Sequence, residues 1–101
     1  MISLIQWKEF GAEGGPLMKS AFAKEPYPGM EKIADYLDHG KITVAAAGIG
    51  TDVYTGERIS GKKELLTDGE YSWNNTLSYY VRKYYLRLPT EFESKVLNYI
   101  K

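Results

Sequence analysis

The chain has 101 residues, enough for one domain with a real core and no covalent staples. Cysteine is absent, which excludes a disulfide framework, a thiolate nucleophile and any cysteine-ligated zinc or iron–sulfur site. Thirteen basic and thirteen acidic residues cancel, so the chain lacks the electrostatic footprint of a general nucleic-acid or anionic-membrane binder.

The opening MISLIQWKEF has no basic n-region and carries Lys8 and Glu9, so it does not read as a signal peptide. No apolar run approaches the length of a membrane span, and the cytoplasm is the expected location. Residues 2–10 suit a strand or a short helix about equally, since Leu4, Trp7 and Phe10 share one helical face. Gly11, Gly14, Gly15 and Pro16 break any regular element. Leu17 to Ala23 reads as a short helix, and Pro26-Tyr27-Pro28-Gly29 is a second break. Met30, Ile33, Ala34 and Leu37 form the stripe of a helix ending at His39, with Gly40 as its left-handed residue.

Lys41 to Ala47 predicts a strand with Ile42, Val44 and Ala46 on one face. The small residues from Ala45 to Gly48 predict close packing over its end. Short extended pieces follow around a turn at Gly56. Asp68-Gly69 then predicts a two-residue hairpin turn of type I′, pairing Leu66 with Tyr71 and Glu64 with Trp73. Leu66, Tyr71 and Trp73 thereby share a face. One of Asn74, Asn75 and Thr76 caps a helix whose buried stripe is Leu77, Tyr80, Val81, Tyr84 and Leu88. Tyr79, Arg82 and Lys83 point the other way. Pro89 stops this helix, and Thr90-Glu91-Phe92-Glu93 is a capping box that starts another, with Phe92, Val96, Tyr99 and Ile100 on its apolar face. The sum is a single α+β domain over residues 1–101. A small antiparallel sheet of three to four strands, at about residues 41–73, packs against helices from both ends of the chain.

Chemistry is sparse. His39 is the only histidine and reads as a helix-end residue, because a general base needs an orienting partner. Gly48-Ile49-Gly50 lacks the third glycine of a dinucleotide fingerprint, so no cofactor is expected. Asp52, Glu57, Asp68 and Glu70 sit near turns. Two of them could act as acid and base, but their spacing matches no metal loop and solvated turn residues explain them better. The tyrosine-rich helix with Arg82, Lys83 and Arg87 could stack on bases, which would make the chain a small nucleic-acid-associated regulator; core packing explains it better. Packing leaves over Tyr79, Arg82 and the flank of Tyr85, residue types enriched at protein-binding hot spots.

Thr55-Gly56-Glu57, Asp68-Gly69-Glu70-Tyr71-Ser72-Trp73, Leu77, Tyr79-Tyr80-Val81, Lys83-Tyr84, Leu88-Pro89 and Glu91-Phe92 together carry a resemblance. Over roughly residues 27 to 97 the chain resembles small uncharacterised bacterial proteins that include candidate immunity proteins of polymorphic toxin and contact-dependent inhibition systems. The resemblance implies a non-enzymatic protein that binds a cognate toxin domain and blocks it. The expected partner surface is Tyr79, Arg82 and Tyr85, extended by the acidic turns at Asp52, Glu57 and Asp68. The alternative from the residues alone is an orphan enzyme using the turn carboxylates.

Overall fold

The computed structural model describes residues 2–46 and 48–99. Along them run β1 (Ile2–Ser3), α1 (Met30–Asp38), β2 (Lys41–Ala46), β3 (Gly50–Thr51), β4 (Arg58–Ser60), β5 (Lys63–Thr67), β6 (Tyr71–Asn74), α2 (Leu77–Tyr84) and α3 (Thr90–Tyr99). Two 3-10 turns, Lys8–Phe10 and Met18–Ala21, replace the ambiguous first stretch and the short helix expected at 17–23.

The fold is α+β, as the sequence predicts. β2, β5 and β6 pair antiparallel, and the sheet order is β1-β6-β5-β2. Two details differ from expectation. The fourth strand is β1, which joins β6 in parallel through the amides of Ile2 and Leu4, donating to the carbonyls of Glu70 and Ser72. Residues 50–60 leave the sheet and form a separate β3–β4 ribbon.

One face of the sheet carries the core. Leu66, Tyr71 and Trp73 share it, and they are buried with Ile33, Ala34 and Leu37 of α1, Leu77, Tyr80 and Val81 of α2, and Phe92 and Val96 of α3. Trp73 is fully enclosed, stands edge-on to Phe92 at 5.9 Å, and donates its indole N–H to the carbonyl of Leu37 at 2.9 Å. Burying an aromatic ring of this size contributes on the order of 3–5 kcal/mol relative to alanine. Tyr84 is only half-buried, unlike the rest of the predicted stripe.

The hairpin keeps the predicted faces but shifts its register by two residues, so Leu66 opposes Trp73 and Thr67 opposes Ser72. Side chains build the turn. Asp68 Oδ1 accepts the amides of Glu70 and Tyr71, while Thr67 Oγ1 accepts the amide of Gly69 and donates to the carbonyl of Tyr71. These local bonds displace the type I′ geometry, and Gly69 alone keeps positive φ, at 100°. An even shift leaves every side chain on its original face.

Gly40 is not left-handed. Its role is contact: a Cβ there would lie 2.6 Å from the Trp73 ring and 2.9 Å from Leu66 Cβ. α2 ends at Tyr84, a turn before Pro89, because Tyr85 turns left-handed at φ 58°. Residues 85–87 then run beside residues 21–23, with Leu86 bridged to Phe22. α3 opens at Thr90, and Glu93 reaches back to the amide of Leu88 rather than to the cap residue of the expected box. Ile100 and the side chain of Tyr99 lie outside the described residues.

β2 also departs from expectation. A register shift between Ile42 and Val44 puts Ile42 level with Leu66 and Val44 level with Leu65, on opposite faces. Ala45 is exposed, and Gly48 has only the end of the Lys63 side chain within 4.0 Å, so no close packing covers them. Ala47 lies outside the described residues.

Gly40→Ala is expected to lower stability by about 1–3 kcal/mol, since the indole is fixed by its own hydrogen bond and cannot yield freely. A urea midpoint equal to that of the unchanged protein would show that Trp73 has room to move.

Candidate functional site

Tyr79, predicted as partner-facing, closes instead on a buried carboxylate, together with Tyr84 of the predicted stripe. Asp52 begins the turn between β3 and β4 and its side chain is fully buried. Its Oδ2 accepts the hydroxyls of Tyr79 and Tyr84, both at 2.7 Å, and its Oδ1 accepts the amides of Tyr54 and Thr55. Tyr79 lies in the first turn of α2 and Tyr84 is its last residue, and both hydroxyls reach the one carboxylate. Tyr80, between them, accepts the amide of Val53 and donates to the carbonyl of Thr51. Together these bonds clamp the β3–β4 ribbon to α2. Tyr54, Tyr80, Tyr84, Phe22 and Phe10 pack ring against ring beneath the clamp.

Burial pushes the Asp52 carboxyl up, but the hydrogen bonds from Tyr84, Tyr79 and the two amides outweigh it, and the net displacement is downward. Tyr84 moves the other way, pushed up to about 12 by burial and by its bond to Asp52. Glu9 is a second centre of the same kind. It accepts the amides of Met18 and Lys19 and the hydroxyl of Tyr54, which joins the 3-10 turn at Met18 to the ribbon.

Of the other expected partner residues, Arg82 and Asp68 are also held internally. Arg82 reaches three carboxylates of α1, Glu31, Asp35 and Asp38, at 3.2, 2.8 and 2.9 Å. Asp68 holds the hairpin turn and accepts from Tyr36 and Lys95. Tyr79 is half-buried rather than outward, and Lys83 Nζ donates to its hydroxyl. Tyr85 is half-buried at the left-handed corner. Glu57 remains exposed, 3.9 Å from Lys83. The structure therefore gathers Asp52, Glu57 and Tyr79 around Lys83, sets Arg82 along one shallow cleft with Tyr79 and Lys83, and places Tyr85 and Asp68 in separate settings. His39 is exposed at the end of α1, with Nδ1 2.7 Å from the carbonyl of Asp35. No trio of histidine, aspartate or glutamate capable of holding a metal occurs among the described residues.

No protein family, curated protein or solved structure matches this chain.

The surface that internal bonding does not use lies on the face of the sheet turned away from the helices. Val44 and Leu65 sit level on adjacent strands, and both are exposed, Val44 by 51%. Leu65 continues into a cleft of about 500 Å³ between this face and the ribbon, lined also by Ile5, Phe10, Val53 and Lys63. Val53 across the cleft and Ile42 at the sheet edge are exposed as well. Sequence reasoning missed this surface, because Val44 and Leu65 look like core residues of a strand. The available signal was the short helical complement, too small to cover both faces of a four-stranded sheet.

Asp52→Asn tests the clamp. A carboxyl whose folded value lies below its unfolded value of about 3.9 stabilises the fold above that pH, and the stabilisation is lost as pH falls through the folded value. The variant is expected to lose about 1.5–3 kcal/mol at neutral pH, with a smaller deficit below about pH 4, where the Asp52 carboxyl of the unfolded chain takes up a proton. Urea midpoints at pH 7 and pH 3 measure this; equal deficits at both would show that the charge plays no part.

Proposed function

We propose that this chain is a non-enzymatic protein-binding module, acting as an immunity protein that covers a toxin domain. The observation that carries the binding reading is the uncovered apolar strip running from Val44 across Leu65 to the cleft and Val53. Apolar surface left contiguous on a small domain marks an interaction site more often than an accident of packing. A stable inhibitory complex needs about 1,000 Å² or more of buried surface in total, and the strip, the cleft and the neighbouring edge strand together provide a centre for one. The immunity reading adds the resemblance in residues 27 to 97.

An enzyme working through turn carboxylates is the weaker reading. Asp52 and Asp68 each spend their oxygens on three or more internal hydrogen bonds, which leaves little capacity for moving a substrate proton. In addition, no helix of the described residues is long and apolar enough to cross a membrane.

The test is a pull-down with the product of the neighbouring gene, followed by growth rescue of cells expressing that product. Val44→Asp and Leu65→Asp, both at exposed positions, should leave the fold intact and each weaken binding by roughly 30-fold, the equivalent of about 2 kcal/mol at a hot spot. Absence of both partner and rescue, with turnover of a small molecule by the purified protein, would sink the proposal.

A further inference from the structure

β2 ends the sheet. Its order places β5 on one side and no strand on the other, so every second N–H and C=O of Lys41–Ala46 points outward. Soluble proteins usually blunt such an edge with proline, lysine, a bulge, an inward charge or a covering segment, and of these β2 has Lys41 and the bulge between Ile42 and Val44. Here the side chains of Ile42, Thr43, Val44 and Ala45 are all exposed, and no proline interrupts them. Two lysines frame the edge. Lys41 opens the strand, and Lys63 stands on β5 level with Ala46 at the far end. By register, both lie on the face that Val44 and Leu65 occupy.

Their charges are uncommitted. Lys62, Arg82, Lys83, Arg87 and Lys95 are each within ion-pair distance of a carboxylate; Lys41 and Lys63, like Lys8, Lys19, Lys24, Lys32 and Arg58, pair with none among the described residues. Glu64, next to Lys63, is already held by Lys62 at 3.3 Å. The edge thus presents, along one face, a cation, an apolar centre and a second cation. Thr67, level with Lys41, and Lys63 are four residues apart on β5, so at about 3.3 Å per residue the cations stand roughly 13 Å apart along the strand.

We infer that β2 is a docking edge for an extended strand of the partner, apolar in its middle and acidic at both ends. Main-chain bonds to the outward groups of β2 supply affinity, and the two lysines select the acidic termini. A second copy fits less well, since antiparallel pairing of β2 with itself would gather Lys41 and Lys63 of both copies along one seam. The inference rests on the protein-binding reading and names the chemistry of the partner.

A cyclised hairpin peptide whose free strand reads Glu-Thr-Val-Val-Glu is the probe. Added antiparallel, it sets its first glutamate opposite Ala46, two strand spacings or about 10 Å from Lys63 on the same face, its middle valine beside Val44, its next valine level with Ile42, and its last glutamate beside Lys41. Titrated into the isotope-labelled full chain, it should shift the amide resonances of residues 41–46 and 63–65 above all others. The same peptide with lysine in place of both glutamates should bind at least about 10-fold more weakly, and the double variant Lys41→Glu, Lys63→Glu should reverse that preference. Undetectable binding, equal affinity for the two peptides, or shifts centred elsewhere would overturn the inference. So would a protein that is dimeric without peptide and becomes monomeric on Val44→Asp, which would make a second copy the occupant. The docking edge fails separately from the protein-binding reading: a captured partner that leaves the amides of residues 41–46 exchanging as in the free protein removes the edge and spares the module.

Discussion

The indole of Trp73 fixes the spacing on which the rest of the fold depends. Its N–H bonds to the last turn of α1, its ring meets Phe92 of α3, and its backbone belongs to β6. One side chain therefore sets the distance from sheet to two helices. Gly40 follows from it, because the chain leaving α1 must pass so close to the ring that no Cβ fits. The hairpin register follows too: opposing Leu66 to Trp73 puts both in the same enclosed layer. A ring this large is costly to leave in water and costly to bury with an unbonded N–H, and the carbonyl of Leu37 resolves both demands at once.

Around that core, carboxylates serve as internal fasteners. Asp52 holds the ribbon, Glu9 the Met18 turn, Asp68 the hairpin and Glu93 the corner before α3. Each accepts backbone amides that a turn would otherwise leave without partners. With so much acidic charge turned inward, a domain of zero net charge presents an uneven exterior. Glu31, Asp35 and Asp38 gather on α1 around Arg82, while Lys41, three residues beyond that helix, pairs with no carboxylate among the described residues. Charge cancellation across the whole chain says little about any one face.

The sequence was most legible where periodicity alone decides. The stripe of α1, the shared face of Leu66, Tyr71 and Trp73, and the burial of Phe92 and Val96 all follow from spacing. It was least legible where side chains compete with the backbone. Asp68 and Thr67 rebuild the turn that Asp-Gly predicts, and Tyr85 takes a left-handed conformation that its residue type does not advertise. Tyr79 and Asp52 were misplaced for one shared reason: helical phase puts Tyr79 outside, and only the ribbon folding over α2 converts that outside into an interior. Strand residues such as Val44 look identical in sequence whether or not a helix lies over them.

The parallel pairing of β1 with β6 bears on how the chain acquires its shape. Residues 2–4 find their partners only once residues 70–72 exist, since the amides of Ile2 and Leu4 bond to the carbonyls of Glu70 and Ser72. Contacts this distant in sequence must wait for the intervening loop to close, and they form late. During synthesis, the opening segment therefore stays unpaired until most of the chain has left the ribosome, with Ile2, Leu4 and Ile5 accessible to chaperones and proteases for the whole interval.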